Sequence, residues 1–136
     1  MNADNIFPGF SVSASALKAE RIRMQAIAQN LANINTTRQG NKKIPYQRKE
    51  VIFEEILKKG NFEGVKVAQI ANDSSPPKII YDPDHPDADS KGYIKKPNID
   101  LHFEMVDLMT SSRVYQANLL AMKVYKDMAQ RTLNLG

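Results

Sequence analysis

The sequence predicts a mainly α protein with a small β-rich insert: a long helix at each terminus, the two packing as a coiled-coil-like pair, with short antiparallel strands between them. Heptad-like apolar spacing at both ends and a proline-rich middle, where six of the seven prolines fall between residues 35 and 99, carry this reading. A third observation bears on shape. Aromatic residues make up only 7% of the 136 residues and tryptophan is absent, so apolar surface is spread along helix faces instead of being gathered round bulky rings, which favours an elongated molecule. The expected segments are 1–36, 37–99 and 100–136.

The first helix is expected over residues 11–34. Phe10, Leu17, Met24 and Leu31 recur every seven residues, with Ile27 and Ile34 at an offset of three and Ala14 and Ala28 at an offset of four. Pro8-Gly9 is read as a block to an earlier start, and Ser11 and Ser13 are both acceptable N-caps. The helix closes in QNLANINTT, where Asn30, Asn33 and Asn35 gather although asparagine weakens helix interiors. One reading is a solvated face with a frayed end. The other is that Asn30 and Asn33, one turn apart, fix the register of helix on helix at some cost in stability. Asn35 is expected to end the helix in the left-handed conformation.

In the middle, candidate strands are Val51-Ile52-Phe53 with its flanks, residues 65–70 and residues 78–81, separated by the turn formers Gly60-Asn61, Asn72-Asp73 and Pro76-Pro77. A small antiparallel sheet or a pair of hairpins follows. The last helix is expected over residues 101–133. Its stripe holds Met105, Leu108, Tyr115, Leu119, Met122, Ala129 and Leu133, interrupted by Ser112 and Lys126. Ile22, Val106, Val114, Val124 and Met128 lie off the stripes and need further partners, of which other chains, in a bundle or a helical polymer, are the simplest source.

Composition narrows the chemistry. Without cysteine there is no disulfide framework, thiolate metal site or thiol nucleophile. The start MNADNIFPGF has neither the basic residues nor the apolar run of a secretory signal, and no window is apolar for long enough to span a bilayer. The acidic loop DPDHPDADSKG at 82–92 fails as a calcium loop: counted from Asp87, Lys91 stands at the fifth position and Asn98 where a bidentate Glu belongs. His85 has no partnered nucleophile, and His102 reads as a half-buried polar residue. No catalytic group, metal or cofactor is therefore expected.

A net charge of +4 and the run Arg38, Lys42, Lys43, Arg48 and Lys49 raise nucleic-acid binding, as a basic adaptor with coiled-coil ends. Only Tyr46 is interleaved among these charges and no reading motif follows, so contact with the acidic loop competes with it.

Several motifs together resemble the flagellar basal-body rod proteins: Ser13-Ala14-Ser15; Gln29-Asn30-Leu31-Ala32-Asn33 with Asn35-Thr36-Thr37; Pro45-Tyr46; Tyr81-Asp82-Pro83 with His85-Pro86-Asp87-Ala88; Gly92-Tyr93; Pro97-Asn98; Glu104-Met105-Val106; and Ser112-Arg113-Val114-Tyr115-Gln116-Ala117-Asn118. The match runs nearly end to end, and the acidic loop points to a proximal-rod member. The resemblance implies a structural subunit that leaves the cytoplasm through the type III export apparatus without signal cleavage and polymerises into the periplasmic drive shaft of the basal body. Implied partners are other rod proteins, copies of itself, and basal-body ring and export-apparatus components, with no nucleic acid. It also places subunit contacts on Leu17, Met24, Asn30, Leu31, Asn33, Asn35, Tyr46, Asp87, Asp89, Met105, Arg113, Tyr115, Asn118, Leu119 and Met122, with Gln116 and Asn118 as hydrogen-bonding partners for the asparagines.

Overall fold

A computed structural model describes residues 8–135; the reading of the extreme N-terminus as lacking a signal, and that of Gly136 as the end of the last helix, fall partly or wholly outside them. Helix α1 spans Pro8–Ala32. It already contains Pro8 and Gly9, which corrects the expected start at Ser11 or Ser13: a proline's fixed φ suits the first turn of a helix, where its missing N–H is not needed. Ser11 Oγ instead donates back to Pro8 O at 3.1 Å. At the other end the Asn33 amide closes the helix, with Nδ2 on Gln29 O at 2.8 Å and Oδ1 accepting from Thr36 Oγ1 at 3.1 Å. Asn35 does not adopt the left-handed conformation, which among the described non-glycine residues belongs to Lys59 alone. Side-chain capping by Asn33 does the work expected of Asn35.

Strands β1 (Lys49–Lys58) and β2 (Asn61–Asn72) form a long antiparallel hairpin with two register irregularities. Its two-residue turn has φ of 51° at Lys59 and 80° at Gly60, the double positive φ that suits the twist of a tight hairpin. The hairpin lies along α1. Its start is tied to Asn30, and farther along, Val65 N donates to Ser15 Oγ at 3.1 Å. Gly64 makes this approach possible, for a Cβ there would stand 2.3 Å from Ser15 Oγ. Ile22, expected to need another chain, lies in the cleft between α1 and the hairpin with Ile56, Val65 and Val67.

A second, separate hairpin pairs β3 (Lys78–Tyr81) with β4 (Tyr93–Lys96), the latter a strand the sequence reading did not identify. Its inner face contributes Ile94, which with Ile99 is among the few fully buried apolar side chains. Helix α2 then runs over Leu101–Asn134, capped by Asp100, whose carboxylate accepts from Phe103 N at 3.0 Å. His102 is exposed, not half-buried. The helices run antiparallel: Asn30 meets Glu104, Glu20 meets Ser111, and Gly9 lies so close to the Tyr125 ring that a Cβ would clash with it. Two terminal helices with two hairpins between them make the fold mainly helical with a small β insert.

Candidate assembly surfaces

The seam between the helices is polar where it is deepest. Asn30 is fully buried, and its amide is saturated: Nδ2 donates to Lys49 O at 2.9 Å and to Glu104 Oε2 at 3.2 Å, while Oδ1 accepts from Lys49 N at 2.8 Å and Tyr46 Oη at 3.0 Å. One side chain thus joins α1, α2, the loop before β1 and the first residue of β1. Since a buried amide keeps its full hydrogen-bonding complement only in one alignment, Asn30 sets register. The partners are within the chain and are not Gln116 or Asn118; Asn118 Nδ2 donates to Val114 O of its own helix at 2.9 Å.

Around Asn30 lies a network of charges. Glu104, 1% exposed, accepts from Arg48 Nε, and the same guanidinium stands 3.8 Å from Asp73 and 3.9 Å from Asp107. Burial works against the charge on Arg48, but the Glu104 hydrogen bond and the carboxylates of Glu104, Glu50 and Asp73 outweigh it and hold its pKa above the ordinary arginine value. Burial, and then the Glu104 charge, push the Tyr46 phenol up as well. Deeper along the seam, buried Ser111 donates to the carboxylate of buried Glu20, whose helix neighbour Arg23 reaches Asp107 at 3.6 Å. No buried side-chain nitrogen or oxygen among the described residues lacks a partner.

The acidic and basic loops meet inside one subunit. Asp87 accepts from Thr37 Oγ1 at 2.6 Å and from Arg38 Nε, and its own N–H donates to His85 Nδ1 at 3.0 Å. The Thr37 hydrogen bond, with Arg38 behind it, holds the Asp87 carboxyl below the ordinary 3.8. A depressed folded-state pKa means that stability gained above the unfolded value is lost as pH falls through the folded one. The difference in melting temperature between pH 7 and pH 3 is therefore expected to shrink in Asp87→Asn; an unchanged difference would show that this carboxylate is not coupled to folding. Asp89 shapes the same loop, its Oδ1 accepting from Lys91 N at 2.8 Å and Tyr93 N at 2.9 Å. Of the basic run, Arg38 and Arg48 are engaged as described and Lys49 Nζ donates to Gln29 Oε1 at 3.2 Å, which leaves Lys42 and Lys43 facing solvent. Among the described residues no group of three His, Asp or Glu side chains is placed to hold a metal, and no helix is long and apolar enough to cross a membrane.

The remaining residues singled out from the sequence divide between seam and surface. Leu17, Met24, Leu31, Asn33, Tyr115 and Met122 are half-buried, whereas Asn35, Met105, Arg113 and Leu119 are exposed. Glu20 and Ser111 were not singled out, and Arg48 and Glu104, named in the basic run and in a family motif, were not read as partners in the seam. A signal for part of them exists in the spacing: Glu104, Ser111, Asn118 and Tyr125 recur every seven residues on α2, as do Ser13, Glu20 and Ile27 on α1. With this face turned inward, α2 presents Val106, Met109, Leu120, Val124 and Met128 to solvent, Leu120 at 63% exposure. The fully buried positions of α2, Glu104 and Ser111, are thus polar, while large apolar side chains stand among the charged ones on its exposed side.

Comparison with known proteins places these features. Residues 10–38 match the family described as "Flagella basal body rod protein", and residues 90–135 match "Flagellar basal body rod FlgEFG protein C-terminal". The flagellar basal-body rod protein FlgC of Bacillus subtilis (strain 168) is 43% identical, covering 96% of this chain and 97% of its own length. FlgC of Salmonella typhimurium (strain LT2) is 41% identical over 93% of this chain and 95% of the relative. FlgC of Borreliella burgdorferi is 36% identical over 94% and 95%.

Proposed function

We propose, since the chain belongs to the FlgC family of flagellar basal-body rod proteins, that it polymerises through its terminal helices into the proximal rod and transmits torque there. It is a structural subunit of the rod and not an enzyme. In this reading the chain passes through the type III apparatus without signal cleavage, folds in the periplasm, and packs against copies of itself, other rod proteins, and ring and export-apparatus components. The observation that supports it is the set of large apolar side chains that α2 leaves uncovered: buried Glu104 and Ser111 face α1, while Val106, Met109, Leu120, Val124 and Met128 face outward. An apolar face of this extent is buried when neighbours are added. The half-buried Leu17, Met24 and Leu31, with exposed Met105, Arg113 and Leu119, border the same contacts.

The test is Leu120→Asp combined with Val124→Asp. Both positions are solvent-exposed in the free subunit, so the cost to its stability is expected to stay within about 1 kcal/mol. Incorporation into the basal body and swimming should be lost. Normal motility with the doubly substituted protein at normal levels would show that this face does not pack in the rod.

A further inference from the structure

The two hairpins end in surfaces that fit each other but cannot meet within one chain. At the tip of the β1–β2 hairpin, Leu57 and Phe62 face each other across the strands and are 60% and 51% exposed. The turn beyond them holds Lys59 with φ of 51°, a left-handed position where glycine or asparagine would relieve strain. Ser15 and Gly64 clamp the hairpin onto α1 just behind this tip, so the prong is held in place before any partner arrives. At the other hairpin, Ile79 and Tyr93 line a cleft of about 380 Å³ with Asp89, Lys43 and Lys95 around it. Lys43 and Lys95 have no ion-pair partner among the described residues, and Ile79 is 67% exposed.

Prong and cleft lie at opposite ends. The β1–β2 hairpin starts beside Asn30 and passes Ser15, a distance of about 22 Å along α1 at the usual helical rise, and its tip continues toward Pro8. The cleft lies beyond the other end of α1, where Thr37 forms part of its wall. The tip and the cleft are thus more than about 30 Å apart in one subunit.

We propose that the β1–β2 tip of one copy seats in the β3–β4 cleft of a second copy, with Leu57 and Phe62 against Ile79 and Tyr93. Lys59 then faces Asp89 and exposed Glu55 faces Lys95, so opposite charges meet, while Glu63 stays 4.0 Å from Lys58 of its own hairpin. The contact joins two different surfaces of the same chain, and a contact of that kind runs head to tail, into a ring or an open helical polymer, instead of closing into a two-fold dimer. The proposal rests on the reading of the chain as a polymerising rod subunit, and adds to the helix contacts a second, strand-borne one.

The chain has no cysteine, which allows a direct test in isolated basal bodies from cells whose sole copy is the variant. Phe62→Cys with Ile79→Cys in one chain, and separately Leu57→Cys with Lys95→Cys, are oxidised and analysed without reductant. Within one chain the paired positions are far beyond the roughly 7 Å Cα separation a disulfide spans, so any bond is between copies. A ladder of dimers and higher multimers from either pair, absent from each single-cysteine chain, is the expected result. If neither pair gives a ladder while the cysteine-free chain is recovered in the basal body, the docking is overturned and the rod reading stands. If the cysteine-free chain itself is absent from the basal body, the rod reading falls and the docking with it.

Discussion

Asn30→Leu is expected to destabilise the isolated chain by about 3 kcal/mol, although it enlarges the apolar seam. Burying the leucine contributes roughly 1 to 3 kcal/mol in favour of folding. Against this, the substitution strips Lys49 of partners for both its N–H and its C=O, and deprives Tyr46 Oη and Glu104 Oε2 of one each. A buried group costs about 1 to 3 kcal/mol when left unmade, more for the Glu104 carboxylate and less for the half-buried Lys49 and Tyr46. The polar losses win. For a domain whose total stability is about 5 to 15 kcal/mol, urea unfolding followed by circular dichroism should show a clearly lowered midpoint. The internal control is Asn33→Leu, which removes a half-buried cap at the helix end and should cost about 1 kcal/mol. Equal midpoints for Asn30→Leu and the unaltered chain would mean that Asn30 faces water and sets no register.

The helices and three of the four strands were legible because each rests on local chemistry. Heptad spacing marks both helices, and Gly60 marks the first hairpin's turn, although Lys59-Gly60 forms it and not the expected Gly60-Asn61, because Asn61 already pairs with Lys58. Strand β4 was not legible: four residues, two of them lysine, carry no alternation of apolar and polar side chains, and only pairing with Lys78–Tyr81 makes them a strand. The helix seam misled for a physical reason. Periodicity shows which face is apolar, not what covers that face. The obvious column, Phe10, Leu17, Met24 and Leu31, is only half-buried, while full burial falls to Ser13, Glu20 and Ile27 and to Asn30. Gly9 lets the Tyr125 ring of α2 come near, and farther along the seam a buried amide and two carboxylates find partners across it. Arg48 could not be placed from the sequence at all, since its partner Glu104 lies 56 residues away.

Arg48 and Glu104 should prove strongly coupled in a double-mutant cycle. Arg48→Met removes the cation from a carboxylate that is 1% exposed and leaves it the Asn30 amide. Breaking a buried pair from one side costs about 3 to 5 kcal/mol; because the Arg48 side chain retains 20% exposure, water moderates the loss and about 2 to 4 kcal/mol is expected. Glu104→Gln should cost less, since Arg48 keeps Asp73 at 3.8 Å and Asp107 at 3.9 Å and a glutamine oxygen can still accept from it. With both substitutions neither charge is left alone, so the combined loss should fall short of the sum by roughly 1 to 3 kcal/mol. Urea midpoints of the four proteins give this coupling directly. Raising the salt from 0.15 M toward 1 M should change it little, because ions screen exposed pairs such as Lys66 and Glu54 far more than a pair with one buried member. Additive losses would show that Arg48 does not neutralise Glu104, and that the two helices are held in register by the Asn30 amide without help from the charge beside it.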